Sequence, residues 1–476
     1  MFKLYLILII IVEFIFPQIS DGCYLFSPII SLPEEDEIFQ TILIDTSGNI
    51  LHEWSHECSV ASTPYLLPDS TLLRPCKLTP PLFDVGGAGG LIQLISWGNE
   101  VIWEFQLMNN EESQHHDIEY LPNGNILLIS WDMKSQADAL LAGKLSHTGD
   151  LWSEKIIEIT PILPDSAIVV WEWHLWDHLI QDNDSTLDNY GILSQHPELL
   201  DINFALTSNE GPLPPQFTNP DMIHLNAIDY NQTLDQIVIS SRKTNEIYII
   251  DHSTSSAEAA SHNGGNSGVG GDLLYRWGNS SIYDRGSITD KILYAPHSVN
   301  WIEDDGLIVF NNGVNRPSGD YSSVEIIILP IIETGSYEIF YNEPYMPQFP
   351  NNSYNINENY FTQSQGGAFQ LNNGNILITI SNMKIILEID ATGEILWQYY
   401  YNGNGNLSRA QKYEFNYFTA PIDGDINSDL LVNILDVIIC VNMILDLIPP
   451  LEIADINQDG AVDILDVVIL VNIILN

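Results

Sequence analysis

The sequence predicts an all-β fold, a β-propeller with six blades favoured, followed by a small all-α domain. Apolar strands joined by Asn-Gly, Asp-Gly or Gly-Asn turns recur every few tens of residues between about residues 39 and 400. The repeat then stops, and two nearly identical segments follow it, displaced by 455 − 425 = 30 residues. With 45% hydrophobic and 10% aromatic residues, the chain also has enough apolar material for a folded core.

The unit that repeats is an apolar strand, a turn, a second apolar strand and a strand that carries Trp. Such strands and turns are typical of antiparallel hairpins, and their recurrence predicts propeller blades. We count five fairly complete units and an N-terminal half unit, which would complete the last blade and close the ring. Segments 176–222 and 252–272 are polar and predict inserted loops. The units lie at 39–54 (the half unit), 65–74 with 90–105, 121–131, 224–242, 297–313 and 369–400.

The chain has 476 residues and is strongly acidic. Its 15 basic and 63 acidic residues give a net charge of 15 − 63 = −48. Binding of a polyanion requires Lys and Arg to replace counterions, so this charge argues against nucleic acid and anionic membranes as partners. The length allows two or three domains or one large repeat architecture.

Residues 1–22 predict a secretory signal peptide, because one Lys precedes an apolar run that small and polar residues end. An uncleaved membrane anchor is the alternative, since Glu13 interrupts the run. Later segments are too short in apolar residues to span a bilayer. We therefore expect a secreted protein, extracellular, periplasmic or attached to the cell surface. In such an oxidising compartment Cys58 and Cys76 either pair or stay free, and the sequence leaves both open.

The expected organisation is a propeller over 23–400, a linker over 401–422 and a C-terminal domain over 423–476. In that last domain each repeat has oxygen-bearing residues at loop positions 1, 3, 5, 9 and 12, and then an apolar helix. Ca²⁺ takes six to eight oxygen ligands, with a backbone carbonyl at position 7, so both loops predict calcium sites. The predicted ligands are Asp425, Asn427, Asp429, Leu431, Asn433 and Asp436 in the first loop, and Asp455, Asn457, Asp459, Ala461, Asp463 and Asp466 in the second.

The duplicated loop and helix over 423–476 resembles the type I dockerin domain. This resemblance implies calcium-dependent folding and a cohesin-domain protein as partner. Leu430 stands where loop position 6 normally carries Gly, whereas Gly460 keeps it, so the first site is expected to be weaker. The apolar pairs at 434–435 and 464–465 occupy the positions with which dockerins select a cohesin; a role in the core is the alternative.

Three histidines stand at strand starts in three different repeats: His116, next to His115, His224 and His297. Equivalent strand starts converge at one end of a propeller channel, so we predict that they share a site. The sequence does not say which of His115 and His116 points inward. Arg242 ends the strand that begins near His224. Its planar guanidinium suits an anionic group with several oxygens, and a salt bridge is the alternative.

The motifs HLNAIDYNQTLDQIVISSR, PHSVNWIEDDGLIVFNNGVNRPSGDYSSVEII and HHDIEYLPNGNILLISW resemble the PAPS-independent arylsulfotransferase family over roughly 37–400. The resemblance implies a six-bladed propeller that transfers a sulfuryl group from an aryl sulfate to a phenol through a sulfated histidine. It implies no cofactor for catalysis. By motif, His297 is the expected nucleophile, and the groups expected to hold the sulfuryl oxygens are His116, His224, Asn226 and Arg242.

Two other functions remain open at this point. One is a non-catalytic propeller that binds a ligand or glycan and is displayed through the dockerin on an extracellular assembly. The other uses water as acceptor, which would make the protein a sulfatase. The segment 171–184 offers His174, Asp177 and His178 at spacings that suit a metal, but we favour blade packing or an aromatic wall for this Trp-rich stretch.

Overall fold

The computed structural model describes residues 19–30, 38–79, 83, 85–145, 148–204, 220–333, 335–356, 360–418, 424–427, 432–445, 447–457 and 459–475. Most of the predicted signal peptide, residues 1–18, lies outside this set, as do the predicted calcium ligands Asp429 and Leu431 and also Leu430.

The described chain is mainly β. In chain order the strands are β1 (Cys23–Phe26), β2 (Pro28–Ile29), β3 (Phe39–Ile44), β4 (Ile50–His56), β5 (Tyr65–Leu66), β6 (Leu72–Lys77), β7 (Gly90–Ile95), β8 (Val101–Gln106), β9 (Glu112–Tyr120), β10 (Ile126–Lys134), β11 (Leu151–Ile162), β12 (Ser166–His174), β13 (Leu179–Ile180), β14 (Leu200–Asp201), β15 (Leu225–Asn231), β16 (Gln236–Ser241), β17 (Glu246–Asp251), β18 (Tyr275–Trp277), β19 (His297–Ile302), β20 (Gly306–Asn311), β21 (Ser323–Ile328), β22 (Ile331–Glu333), β23 (Ser336–Tyr337), β24 (Asn352–Asn355), β25 (Gly367–Gln370), β26 (Ile376–Ile380), β27 (Ile385–Ile389), β28 (Ile395–Tyr400), β29 (Asn406–Leu407) and β30 (Gln411–Tyr413). The α-helices are α1 (Gln136–Leu141), α2 (Ser256–Ala259), α3 (Ile434–Ile444) and α4 (Ile464–Leu475).

Six four-stranded antiparallel sheets form the six blades of a propeller, which confirms the predicted fold class. From the inside outwards, the sheets are β30-β1-β3-β4, β5 to β8, β9 to β12, β15 to β18, β19-β20-β21-β24 and β25 to β28; we number them blades 1 to 6. The innermost strands β9, β15, β19 and β25 contact one another in sequence. Predicted turns such as Asn123-Gly124 join the hairpins, and Gly124 adopts a φ of +87° that favours glycine.

Blade 1 closes the ring from both ends of the chain. The expected half unit at 39–54 supplies β3 and β4, but it does not join 369–400, which forms blade 6 on its own. Instead, Gln411–Tyr413 adds the innermost strand by pairing with Cys23–Leu25. The predicted linker 401–422 is therefore wrong in part, since its residues 406–413 contain two strands, and the propeller extends beyond residue 400. A strand of three residues that pairs with a distant segment shows no hydrophobic period of its own, so the sequence could not reveal it.

Aromatic side chains on the outermost strands fasten each blade to the next. The predicted strand Trp residues donate their indole N–H to a backbone carbonyl in the following blade or the loop that leads into it. In blade 5 the Tyr354 hydroxyl takes this role by donating to Ala391 at 3.3 Å. The indole pairs are Trp54 with Ser96, Trp103 with Ser166, Trp173 with Gly271, Trp277 with Pro347 and Trp397 with Thr46, at 2.6 to 3.1 Å.

The C-terminal domain consists of α3 and α4, which pack against each other around a small core that includes Cys440 and Leu470. Elsewhere, Cys58 and Cys76 form a disulfide, which settles the pairing that the sequence left open. Within the described part of the chain, no helix is both long and apolar enough to cross a membrane.

Candidate functional site

Three neighbouring blades share a backbone irregularity in the innermost strand, which lies near the middle of β9 and at the start of β15 and β19. The registers of β9, β15 and β19 against the next strand shift there, as they do at a β-bulge. His116, His224 and Ser298 have φ angles of 52°, 58° and 57°, which are costly for residues other than glycine. Because a bulge redirects a side chain, these turns bring His116, His224 and His297 together.

The three predicted histidines form one buried cluster. The ring centroid of His116 lies 4.6 Å from that of His224 and 6.5 Å from that of His297. His115 instead stacks on Trp131 at 4.0 Å, behind the cluster. His116 is therefore the member of the pair that faces the other histidines.

The protonation of His297 is fixed by an amide. Its Nδ1 lies 2.7 Å from Oδ1 of Asn312. The amide nitrogen of Asn312 donates to the carbonyls of Thr362 and Gln365, both at 2.9 Å, so its oxygen must face the ring. His297 therefore carries its proton on Nδ1 and its lone pair on Nε2. Burial and the positive charge of Arg242 lower the pKa of His297 to about 3, which keeps the ring neutral near pH 7.

His224 is bound to an ionised carboxylate. Its Nδ1 donates to Oδ2 of Asp221 at 2.7 Å, and Nζ of Lys243 lies 3.0 Å from the same oxygen. The other carboxylate oxygen accepts from the indole of Trp131 at 3.2 Å. Burial would raise the pKa of Asp221, but the hydrogen bond and charge of His224, together with Lys243, outweigh it and lower the pKa. A negative charge therefore lies behind His224.

His116 is connected to a buried acid through His115. Nδ1 of His116 lies 2.9 Å from Nδ1 of His115, whose Nε2 lies 2.8 Å from Oε2 of Glu154. Burial lowers the pKa of His115 to about 3 and raises the pKa of Glu154. One proton on the Glu154–His115 bond and one on the His115–His116 bond satisfy the chain in either direction. The proton positions along this chain therefore decide whether Nε2 of His116 donates or accepts.

Arg242 and Asn226 also lie at the cluster. Nη2 of Arg242 donates to the carbonyl of Gln363 at 3.2 Å. Burial is the main reason why the pKa values of His116 and His297 are lowered, and the charge of Arg242 adds to the effect. The amide of Asn226 donates to the carbonyl of Pro296 at 2.8 Å, directly before His297. Among the residues that the structure describes, Arg242 forms no salt bridge, so the salt-bridge alternative is not supported.

Other residues that position the site could not be identified from the sequence. Arg409, from the predicted linker, donates to Oγ of Ser298 at 3.2 Å and to Oδ2 of Asp117 at 2.7 Å. Asp221 precedes His224 by three residues, a spacing that could have suggested the pair. Glu154 and Arg409 give no local signal, because their partners belong to distant strands.

The structure does not support a metal bound jointly by His174, Asp177 and His178, the alternative considered for segment 171–184. Nδ1 of His174 lies 2.9 Å from Asp132, whereas Nδ1 of His178 lies 2.8 Å from Asp272. The two histidines therefore serve different partners. Trp173 is buried and fastens blade 3 to blade 4, as expected for blade packing.

All six predicted ligands of the second calcium loop lie within the described residues, and they offer only oxygen atoms. Oδ1 of Asp466, a fully buried residue, accepts the amide N–H groups of Ile456 and Asn457, at 2.9 and 3.2 Å. The carboxylate of Asp455 accepts from the amides of Asp459 and Gly460. These bonds curl the loop around its acidic side chains, and this donor set suits Ca²⁺.

The described part of the first loop is built in the same way. Oδ1 of Asp436 accepts the amide N–H groups of Ile426 and Asn427, at 2.8 and 3.1 Å. The apolar pairs at positions 10 and 11 of both loops are exposed, so they are not core residues, which was the alternative that the sequence left open. Their exposed fractions are 62% for Ile434, 51% for Leu435, 63% for Ile464 and 54% for Leu465.

Known structures with a similar chain trace are distant in sequence. A protein of unknown function from Bacteroides caccae is 11% identical, with 82% of this chain and 98% of that chain covered and a TM-score of 0.43. AztD from Citrobacter koseri is 10% identical, with 83% and 99% covered and a TM-score of 0.37. Virginiamycin B lyase from Staphylococcus aureus is 12% identical, with 80% and 85% covered and a TM-score of 0.36. No curated protein matches the chain.

Family models match both parts of the chain. The type I dockerin domain matches residues 423–475, which include α3 and α4. The arylsulfotransferase (ASST) family matches residues 21–326, more than half of the chain, and this range contains His116, His224 and His297. The chain therefore belongs to the arylsulfotransferase family and carries a type I dockerin domain at its carboxyl end.

Proposed function

We propose that this protein transfers a sulfuryl group from an aryl sulfate to a phenol, with His297 as the nucleophile. The observation that carries the proposal is the hydrogen bond from Nδ1 of His297 to Asn312, whose amide orientation is fixed by two backbone carbonyls. It leaves the lone pair of a neutral imidazole on Nε2. A neutral imidazole is nucleophilic near pH 7 and can form a covalent intermediate.

The first half-reaction forms the bond between Nε2 of His297 and sulfur and breaks the bond from sulfur to the phenolic oxygen. The electron pair of the broken bond leaves with the phenolate, which takes a proton from His224. In the second half-reaction the acceptor phenol returns a proton to His224 and attacks sulfur, and His297 is released. The Asp221 carboxylate supports His224 while it carries the proton.

The remaining groups hold negative charge on the sulfuryl oxygens. Arg242 supplies a cation whose effect already reaches His116 and His297. His116 supplies an N–H from Nε2 when the chain from Glu154 places a proton there. Preorganised donors of this kind stabilise a transition state without reorganising during the reaction. Glu154 and His115 are thus positioning residues for His116.

The first test is incubation of the full-length protein with para-nitrophenyl sulfate, with and without phenol. We expect an intact-mass increase of one SO₃ per chain and a release of nitrophenol that phenol accelerates. Release that is independent of phenol would indicate a sulfatase. Absence of both adduct and turnover would favour the non-catalytic binding propeller.

The absence of a side chain at Gly87 leaves room for the imidazole ring of His116. A Cβ built on Gly87 would lie 1.9 to 2.2 Å from the Cε1, Nδ1 and Nε2 atoms of that ring, and the φ of Gly87 is +79°. We expect Gly87→Ala to displace the imidazole and lower the transfer rate on the order of 100-fold, because small misplacements of this kind are costly in catalysis. The measurement is nitrophenol release in the presence of phenol.

The neighbouring glycine provides a matched control. A Cβ on Gly86 would meet nothing within 4 Å. Gly86→Ala should therefore change the rate by no more than about twofold, as surface substitutions usually do. Equal rates for the two variants would mean that the place of His116 does not matter for transfer.

We further propose that the dockerin attaches the enzyme to a cohesin-domain protein outside the cell. The exposed apolar pairs at 434–435 and 464–465 support this, because solvent-exposed apolar groups at equivalent places in two repeats suit a protein partner. Ca²⁺ would be held by the two loops and would supply the charge neutralisation that lets their carboxylates approach one another.

A further inference from the structure

Two histidines and an aspartate converge away from the histidine cluster. Nδ1 of His178 lies 2.8 Å from Oδ1 of Asp272, and Nδ1 of His262 lies 2.7 Å from the same oxygen. One ligand atom from each of the three residues lies within 4.8 Å of the others. They come from the two segments that the sequence predicts as insertions, near 176–222 and 252–272.

The hydrogen bond behind His178 determines which nitrogen faces this group. Nε2 of His178 lies 2.8 Å from the carbonyl oxygen of Ala259, and a carbonyl only accepts, so Nε2 carries a proton. The neutral ring then directs the lone pair of Nδ1 at the carboxylate of Asp272. Two lone pairs at this distance repel each other unless a cation lies between them. A backbone carbonyl behind the second ring nitrogen is the usual support of a metal-binding histidine.

The surroundings combine a rigid side and an open side. His178 is fully buried and stacks parallel to Trp173, with an interplanar angle of 3°. A Cβ on Gly271 would come within 2.6 Å of Nε2 of His178, so the backbone closes tightly around that ring. His262 is 61% exposed and lines a cleft of about 930 Å³ together with Trp176. One of the three ligands, His262, therefore opens onto the cleft.

We propose that His178, His262 and Asp272 bind a divalent transition metal of the Zn²⁺ type. Two imidazole nitrogens and a carboxylate oxygen suit Zn²⁺, and they leave a coordination position for water or another ligand. Tetrahedral bonds of about 2.1 Å place ligand atoms about 3.4 Å apart, so the three atoms must move apart slightly. The exposed side chain of His262 can make its share of that adjustment, and the carboxylate of Asp272 must make the rest, because His178 is held in place.

The metal would join the two insertions beside the propeller. The segment of His178 follows the last strand of blade 3, and His262 and Asp272 precede the last strand of blade 4. An ion bound only by the folded arrangement raises stability by mass action. This role is independent of sulfuryl transfer and of the calcium loops, whose ligands are all oxygens.

The test uses the full-length protein, dialysed against a chelator and returned to excess Ca²⁺, which occupies the oxygen-only loops. Co²⁺ is then added as the probe. A site with two nitrogen ligands and low coordination number gives a strong visible absorption band, whereas Co²⁺ bound by six oxygens absorbs weakly. We expect a strong band that saturates at one Co²⁺ per chain and disappears when Zn²⁺ is added. We also expect Zn²⁺ to raise the melting temperature.

The variant His262→Ala should weaken Co²⁺ binding on the order of 100-fold, because one of three ligands is lost. Because His262 is exposed, we expect the variant to fold normally. An unchanged melting temperature without metal would show that it does. His196→Ala is the matched control, since His196 lines the same cleft but pairs with Glu198. A wild-type protein without the band, or a band of equal strength and affinity in His262→Ala, would overturn the proposal and leave a protonated His–Asp cluster only.

Discussion

Replacement of His297 by alanine is expected to abolish the SO₃ adduct and to lower phenol-dependent nitrophenol release on the order of 10³-fold or more, as removal of a nucleophile does in other enzymes. The physical reason is that His297 is the histidine whose Nδ1–H is fixed by a neutral amide, Asn312. Arg242 and His116 would remain to bind the donor, so binding should survive the loss of turnover. The measurements are intact mass and the rate of nitrophenol release.

His224→Ala is the informative companion to this variant. His224 lies 4.6 Å from His116 between ring centroids, and we assign it the proton rather than the covalent bond. The His224→Ala variant should still form the SO₃ adduct with para-nitrophenyl sulfate, because the leaving group of this donor needs little protonation. Adduct formation should, however, be slower. Peptide mapping should locate the sulfuryl group on His297. An adduct that persists in His297→Ala would assign the nucleophile to another histidine and contradict the proposal.

The folded state of both variants needs a direct check, because His297 is buried. Near-wild-type melting temperature and an intact Cys58–Cys76 disulfide would show that the propeller is retained. Asn312→Leu adds a second line of evidence. This substitution removes the hydrogen-bond acceptor for Nδ1 of His297 and leaves His297 itself in place. Slower adduct formation in this variant would show that Asn312 matters because it fixes the proton on Nδ1.

The propeller could be predicted from the sequence because its hairpins are local. A turn such as Asn123-Gly124 and the alternation of the strands beside it lie within a few residues of one another. The closing strand Gln411–Tyr413 could not be recognised, since its pairing with Cys23–Leu25 joins residues almost 390 positions apart and three residues show no period. The blade count therefore depended on a half unit whose partner was hidden.

The three histidines could be found because each one lies in or directly before the innermost strand of its repeat. Their hydrogen-bond partners could not, with Asp221 as the exception. Glu154 reaches His115 from another strand of blade 3, and Asn312 follows β20 while bonding to His297 at the start of β19. The positive φ angles of His116 and His224 could not be predicted either, because tertiary contacts stabilise this strained backbone conformation.

Removal of Ca²⁺ is expected to unfold the dockerin domain and leave the propeller intact. The second loop places Asp455, Asp459, Asp463 and Asp466 within twelve residues, and a bound cation would offset their mutual repulsion. The core that α3 and α4 share is small, so binding of Ca²⁺ is expected to supply much of the folding free energy. Without the ion, the two helices should separate.

The two free cysteines allow this to be measured within one molecule. Cys440 is fully buried between the helices of the dockerin, and Cys23 is fully buried in blade 1. After chelation, Cys440 should react with a thiol reagent on the order of 100-fold faster, as expected when a protected group becomes exposed by local unfolding, while Cys23 stays protected. Asp466→Ala should require more Ca²⁺ to protect Cys440. If chelation leaves Cys440 as unreactive as Cys23, the helices are held by their apolar contacts alone, and calcium has no part in folding the domain.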